Sequence, residues 1–463
     1  MKKFLCLTIP MILLLSVAFS GCAGASANQA ANPNPGSSPA ATANASESAS
    51  PASSGSTGQA KDKAFTIKVS SWDLVDEDSS VPADKQRVIP YKAEVEKEYK
   101  AIYPNAAIQW DNTAGAAYFD LLNSQLSSGT ADDVILHYYP NQYAKAGYLA
   151  DLSNQLYAGA VLGSVRKQLS PMGKLIAMGM DLTSGLGIYY NGKLFADNGW
   201  DTQPKTWNDF VKLCDAIKLK GIDPFSAGFK DAYSIPWFLY ADDVDIMLDN
   251  QNFEFDLYNG KTTINCPGYE KKFTKFQTLC ENGYFNKDCL SIDTNQSRVN
   301  FEQGKAAMVI DGPWMPAQID SESPGFQTRF MPLPDDNGNF YMGVYVGTYI
   351  SVNAKTPLMQ EALDLAGCMA SKTALPIRYK DVSNVAIKDA QIEFTLPAMI
   401  DINDALKKYP NGLASDCYLP DSVWNAFTEI MSGIAAGQKF DPAQLKDIQS
   451  TYEKDKSLIV VPQ

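Results

Sequence analysis

One histidine, His137, stands among 463 residues, so any catalytic arrangement built on imidazole would have to use it. No nucleophile pattern gathers around it. The chain has no G-x-S-x-G turn and no H-E-x-x-H helix, and Gly304-Lys305 lacks the upstream glycine of a phosphate loop. Glycoside hydrolysis needs only two carboxylates, and 52 acidic residues leave many pairs open. The densest acidic run, Asp242-Asp243 with Asp245 and Asp249, reads as a solvated loop or a weak calcium loop. Cys214, Cys266, Cys280, Cys289, Cys368 and Cys417 form no C-x-x-C pair and have no neighbouring histidine, which argues against zinc. Their disulfide state is open from sequence, although Cys214 and Cys368 lie in apolar helical patterns and read as core. Another chemistry suits the chain better. With 23 Tyr, 21 Phe and 7 Trp it has rings to spare beside carboxylates and amides. Such sets bind polyhydroxylated molecules without covalent work: rings cover C–H faces and planar polar groups hold hydroxyls.

Elements that position these groups follow from periodicity. Phe65–Ser71 alternates as a strand, Lys92–Tyr103 reads as a helix, and Ala107–Trp110 is a second strand. Tyr118–Leu126 is helical, Asp133–His137 a third strand, and a helix surrounds 142–147. Strands alternating with helices predict a parallel sheet covered on both faces. Ligands of such sheets lie at the carboxyl ends of the strands. Trp72-Asp73, Asp111-Asn112 and His137-Tyr138-Tyr139 each follow one of those ends. A second unit begins near Gly185, with strands at Gly187–Tyr190 and Ala306–Ile310 and a helix over Trp207–Leu219. Thr206 is its expected N-cap, with Asp209 three residues on. Gly312-Pro313-Trp314 opens a further helix.

The first 62 residues are of another kind. Met1-Lys2-Lys3, an apolar run from Phe4 to Phe19 and Ser20-Gly21 before Cys22 make a secretory signal of residues 1–21. Phe19-Ser20-Gly21-Cys22 resembles a lipoprotein processing motif, which implies diacylglyceryl attachment to Cys22. Residues 22–62 are Ala, Ser, Asn, Gly, Pro and Thr with few charges, too poor in apolar groups to offset ordering entropy. A flexible tether of about 40 residues spans roughly 35 Å. The remaining 400 or so residues suffice for two domains. A net charge of −13 without a basic cluster excludes nucleic acid as an expected partner.

Three segments in order resemble the family 1 extracellular solute-binding proteins, the maltose-binding-protein-like group. They are Asp133-Val-Ile with Gly147-Tyr-Leu-Ala-Asp-Leu152, Gly187–Phe195 running through Pro204–Phe210, and Phe301–Trp314. With Gly343–Asn353 and Leu419–Phe427 they spread the resemblance over roughly residues 65–452. It implies a two-lobed α/β fold: lobe 1 from 63–182 and 336–375, lobe 2 from 183–335 and 376–463. Each lobe would be a sheet flanked by helices. Crossovers are expected near Met180–Gly185, Pro334–Gly343 and Ser371–Tyr379, with closure over the ligand. It further implies the substrate-binding lipoprotein of an ABC importer, carrying a carbohydrate to permease subunits. Such a protein acts as a monomer at the outer cell surface, without cofactor or catalysis. Trp314 falls where the resemblance sets a stacking ring, with Asp311 beside it as a hydroxyl acceptor. Trp424 and Trp237 are further candidates from lobe 2. Trp72, Asp73, Asn112, His137 and Tyr139 would lie opposite on lobe 1, and Ser184 at the first crossover. Tyr189-Tyr190 raises ferric ion as an alternative ligand, against a plain reading of strand packing and a turn. A secreted glycoside hydrolase is the other alternative.

Overall fold

Strand β1 (Phe65–Ser71) buries Ile67 and Val69 on one face, as its alternation demands. The computed structural model describes residues 61–77, 81, 83, 85–113, 117–138, 140–321, 325–414 and 418–460. Cys22, Tyr139 and Cys417 therefore lie outside the described residues, as do the signal and most of the tether. β1 pairs in parallel with β2 (Ala106–Asn112) and β3 (Val134–His137). The sheet then departs from the all-parallel expectation. β11 (Tyr349–Val352) lies antiparallel between β3 and β4 (Met178–Gly179). Helices Val88–Ile102 and Met359–Met369 pack on this sheet, and their apolar residues share one core with it.

The second lobe is built on β7 (Asp223–Ser226), β8 (Ala306–Asp311), β6 (Gly187–Asn191) and β9 (Thr328–Met331), in that spatial order. β7 and β8 are parallel, and β6 is antiparallel to both β8 and β9. Thr206 caps the helix Trp207–Lys218, its Oγ1 accepting the Asp209 amide at 3.2 Å. A separate aromatic-rich core fills this lobe.

A third sheet joins the two: β12 (Asn384–Val385), β5 (Asp181–Ser184), β10 (Met342–Tyr345) and β13 (Asn411–Leu413). Met180 belongs to the first core and Ile188 to the second, so the chain crosses between them. The other two fall later. Tyr341 and Tyr345 still pack in the second lobe, and Val346 is the first residue back in the first core, not residue 336. The chain then stays in that core through Ile387. Leu375 and Tyr379 are buried there beside the helix Val88–Ile102, because their side chains complete its apolar face. The third crossing therefore follows Ile387 and precedes Ala398, which is buried in the second lobe. Two glycines let the joining strands approach closely. A Cβ at Gly343 would overlap the Asp243 carboxylate, and one at Gly347 would sit 2.6 Å from Asp181 Oδ2 and Thr183 Oγ1.

Candidate functional site

The second lobe presents a wall of rings. β7 ends at Ser226, and after a loop Pro236 leads into the short helix Trp237–Ala241. Tyr233 sits in a short turn of 3-10 helix, Ala232–Ser234, just ahead of the helix that carries Trp237 and Tyr240. Tyr233, 59% exposed, meets Trp237 edge-on at 5.7 Å, and Trp237 meets Trp314 at 5.8 Å. Tyr240 stacks on Trp424 at 5.2 Å with planes 14° apart. Trp237, Trp314 and Trp424 are all half-buried. Trp314 packs against core residues of both lobes.

Asp311 does not offer its oxygens to a ligand. It is fully buried, accepts Arg298 Nε at 2.8 Å and Nη2 at 3.0 Å, and takes the Gly312 amide at 2.7 Å. This corrects the expectation of a hydroxyl acceptor. A carboxylate at the end of β8 with an arginine beneath it fixes the turn that carries Trp314. Arg298 Nη1 extends the clamp to Gln318 Oε1 at 3.1 Å, on the helix Met315–Ser321.

On the first lobe Trp72 closes β1 and lies 4.3 Å from Tyr138, 5.2 Å from Phe119 and 5.7 Å from Tyr118. Tyr138 is 39% exposed and stacks on Phe119 at 5.1 Å. Asp73, half-buried, accepts Ser71 Oγ at 3.0 Å and Arg378 Nη2 at 2.9 Å. Asn112 sits half-buried level with Ser71 across the sheet, and its Oδ1 has no hydrogen-bond partner among the described residues.

His137 is the clearest departure. Its ring is wholly enclosed, edge-on to Tyr143 and stacked over Tyr349, and so is not presented at the rim. Both faces of β3 are covered, so all four of its residues, the terminal histidine included, are buried. Nε2 lies 2.9 Å from Ser351 Oγ, which itself donates to the Ile176 carbonyl at 2.8 Å. Ser351 therefore accepts, Nε2 carries the proton, and Nδ1 has no partner among the described residues. Burial pushes the imidazole pKa down to about 3. Ser184 is likewise buried, its Oγ donating to the Gly343 carbonyl at 3.0 Å. It joins two strands of the connecting sheet and does not line a cleft.

Asp242, Asp243 and Asp245 form a buried ion network, not a solvated loop, while Asp249 is exposed. Lys275 Nζ lies 2.8 Å from Asp242 and 2.6 Å from Asp245, and Lys272 Nζ 3.1 Å from Asp243. Burial pushes the Asp242 carboxyl up to about 8, with Lys275 pulling it the other way. The sequence showed four acids but not the two lysines of the helix Pro267–Glu281 that face them. Tyr189 and Tyr190 are packed in the core, and the Tyr189 hydroxyl donates to the Gly185 carbonyl at 2.6 Å. Neither offers a metal ligand. Sequence reasoning did not name Tyr233 or Tyr240, whose ring contacts with Trp237 and Trp424 appear only in the fold.

Two α/β lobes on separate cores, linked by a small sheet and edged with rings, are the architecture of a solute-binding protein. The chain belongs to the bacterial extracellular solute-binding proteins, whose family pattern it matches over residues 85–375. It is 26% identical over 292 residues to a multiple sugar-binding protein of Streptococcus mutans, covering 60% of this chain and 68% of that one. Its fold superposes on the solute-binding protein RafE in complex with raffinose (TM-score 0.68, 19% identity, 85% of this chain and 100% of that one). It also superposes on a sugar transporter component from Bacillus licheniformis in complex with stachyose (TM-score 0.63, 18% identity, 84% and 100%).

Proposed function

We propose that this protein captures a carbohydrate, an oligosaccharide, between its lobes and delivers it to the permease of an ABC importer. The observation that carries the reading is the run Tyr233–Trp237–Trp314 with the stacked pair Tyr240–Trp424. Half-buried rings in series suit several sugar faces in a row, whereas a compact solute would need one. Across the cleft, Trp72 and Tyr138 supply the opposing rings, with Asp73 and Asn112 as hydroxyl partners. The S. mutans relative, named a multiple sugar-binding protein, and the raffinose and stachyose complexes support the same ligand class. On this reading binding proceeds without turnover, as membership of the solute-binding family supports. The protein works as a monomer outside the cell, tethered through a lipid on Cys22.

Thermal unfolding against a carbohydrate panel tests the reading. A ligand at 100 times its dissociation constant adds about 2.7 kcal/mol, a readily measured shift. A panel of mono- and oligosaccharides that moves no transition would sink it.

A further inference from the structure

β7 and β8 run side by side, and their carboxyl ends deliver Ser226 and Ile310-Asp311 to the region beneath Trp237. A small pocket lies there, bounded by Trp237, Phe238 and Ile310 with Ser226, Thr294 and Ser297. Its interior is about 20 Å³, room for one oxygen-sized group. Two of its hydroxyls stand out. Ser226 and Thr294 are 1% and 4% exposed, and among the described residues neither Ser226 Oγ nor Thr294 Oγ1 has a hydrogen-bond partner. The neighbouring Ser297 Oγ, by contrast, donates to the Thr294 carbonyl at 2.9 Å. Unbonded hydroxyls in an apolar wall favour a ligand oxygen that bonds to both.

We propose that this pocket is a specificity subsite for the exocyclic hydroxyl of a hexose lying on Trp237, so that the protein selects hexose-based over pentose-based carbohydrate. The inference rests on the carbohydrate reading above and adds Ser226 and Thr294 as the selecting residues. Volume and charge decide which branch fits. The space suits one hydroxyl, and Trp237 is the half-buried ring on its wall. An acetamido branch is too large. A carboxylate would lose its hydration in a wall that contains no charged side chain.

The test uses sugars that differ only by hydroxymethyl arms: one in D-glucose against D-xylose and in D-galactose against L-arabinose, and two, one on each ring, in cellobiose against xylobiose. Calorimetric titration of the full-length protein should show the hexose member at least about tenfold tighter, as expected when a site hydroxyl loses its partner. Ser226→Ala and Thr294→Val should each bring that ratio to within about threefold, while Thr294→Ser, which keeps the hydroxyl, preserves it. Equal affinity for both members, or variants that weaken both members alike, would leave only an internal water site and overturn the subsite alone. Silence towards every sugar would instead overturn the carbohydrate reading, and the subsite with it.

Discussion

The hydroxyl of Tyr345, on the strand between the lobes, donates to the carboxylate of Asp243 inside the second lobe. Both groups are buried, and Lys272 completes the set by donating to Asp243 at 3.1 Å and to the Leu239 carbonyl at 2.7 Å. Burial pushes the Asp243 carboxyl up, opposed by Lys272 and by the Tyr345 hydrogen bond. The connecting strand is thereby fastened to the second lobe.

This fastening ranks two substitutions. Tyr345→Phe removes one donor from a carboxylate that keeps its ammonium, at about 1–3 kcal/mol. Lys272→Met strands a buried charge, at about 3–5 kcal/mol. Urea unfolding of both variants gives the order, and a reversed order would mean that Asp243 is protonated in the folded protein.

The only imidazole reports on acid stability. With a folded pKa near 3 and an ordinary unfolded value of about 6.5, the unfolded chain binds the extra proton between those limits. Stability therefore falls as pH drops from about 6.5 towards 3. Relative to His137→Gln, the wild type should lose about 3 kcal/mol between pH 7 and pH 4. The single imidazole resonance should also show no titration above pH 4, and a midpoint near 6 would contradict the buried ring.

Trp314 touches both lobes, so its removal should act twice. Trp314→Ala should weaken carbohydrate binding at least tenfold, the order expected for a central anchor. It should also lower the stability of the ligand-free protein, by less than the roughly 3–5 kcal/mol of a fully buried tryptophan. Affinity unchanged among folded molecules would remove Trp314 from the wall.

Asp311 and Arg298 form a clamp whose two roles separate experimentally. Asp311→Asn leaves the arginine without its counter-charge and should cost about 3–5 kcal/mol. A double variant, Asp311→Leu with Arg298→Met, should recover much of that stability while binding stays weak, because the turn bearing Trp314 is no longer fixed. Recovery of both would make the clamp purely structural.

Attachment is tested at the other end of the chain. Cys22→Ala should release the protein into the medium with its carbohydrate affinity intact, and retention on the membrane would exclude a lipid on that residue.

The sequence made the first-lobe strands and the capped helix at Thr206 readable because period and turn chemistry are local. Trp314 and Trp424 were singled out by the family-like segments around them, and Trp237 only as a further ring in the same lobe. What failed was long-range. Whether His137 points out or in depends on β11, which arrives more than 200 residues later with Ser351 and Tyr349. Asp311 and Asp242 were read as free acids because Arg298, Lys272 and Lys275 lie on other elements. No local pattern announces which carboxylate an arginine will find.

The place of β11 in the first sheet, between β3 and β4, has a consequence for the order of assembly. A chain that stops at residue 340 holds β1 to β4 but lacks the strand that joins β3 to β4, leaving two bare hydrogen-bonding edges. The first lobe, although it comes first in the chain, cannot close until Val352 is available. The second lobe's main sheet is complete by Met331. Its core, however, waits longer still, for Phe427 and Tyr452 near the far end of the body, so neither lobe can be completed early. The contacts that finish the first lobe span most of the body, a topology that delays folding until nearly the whole polypeptide is present.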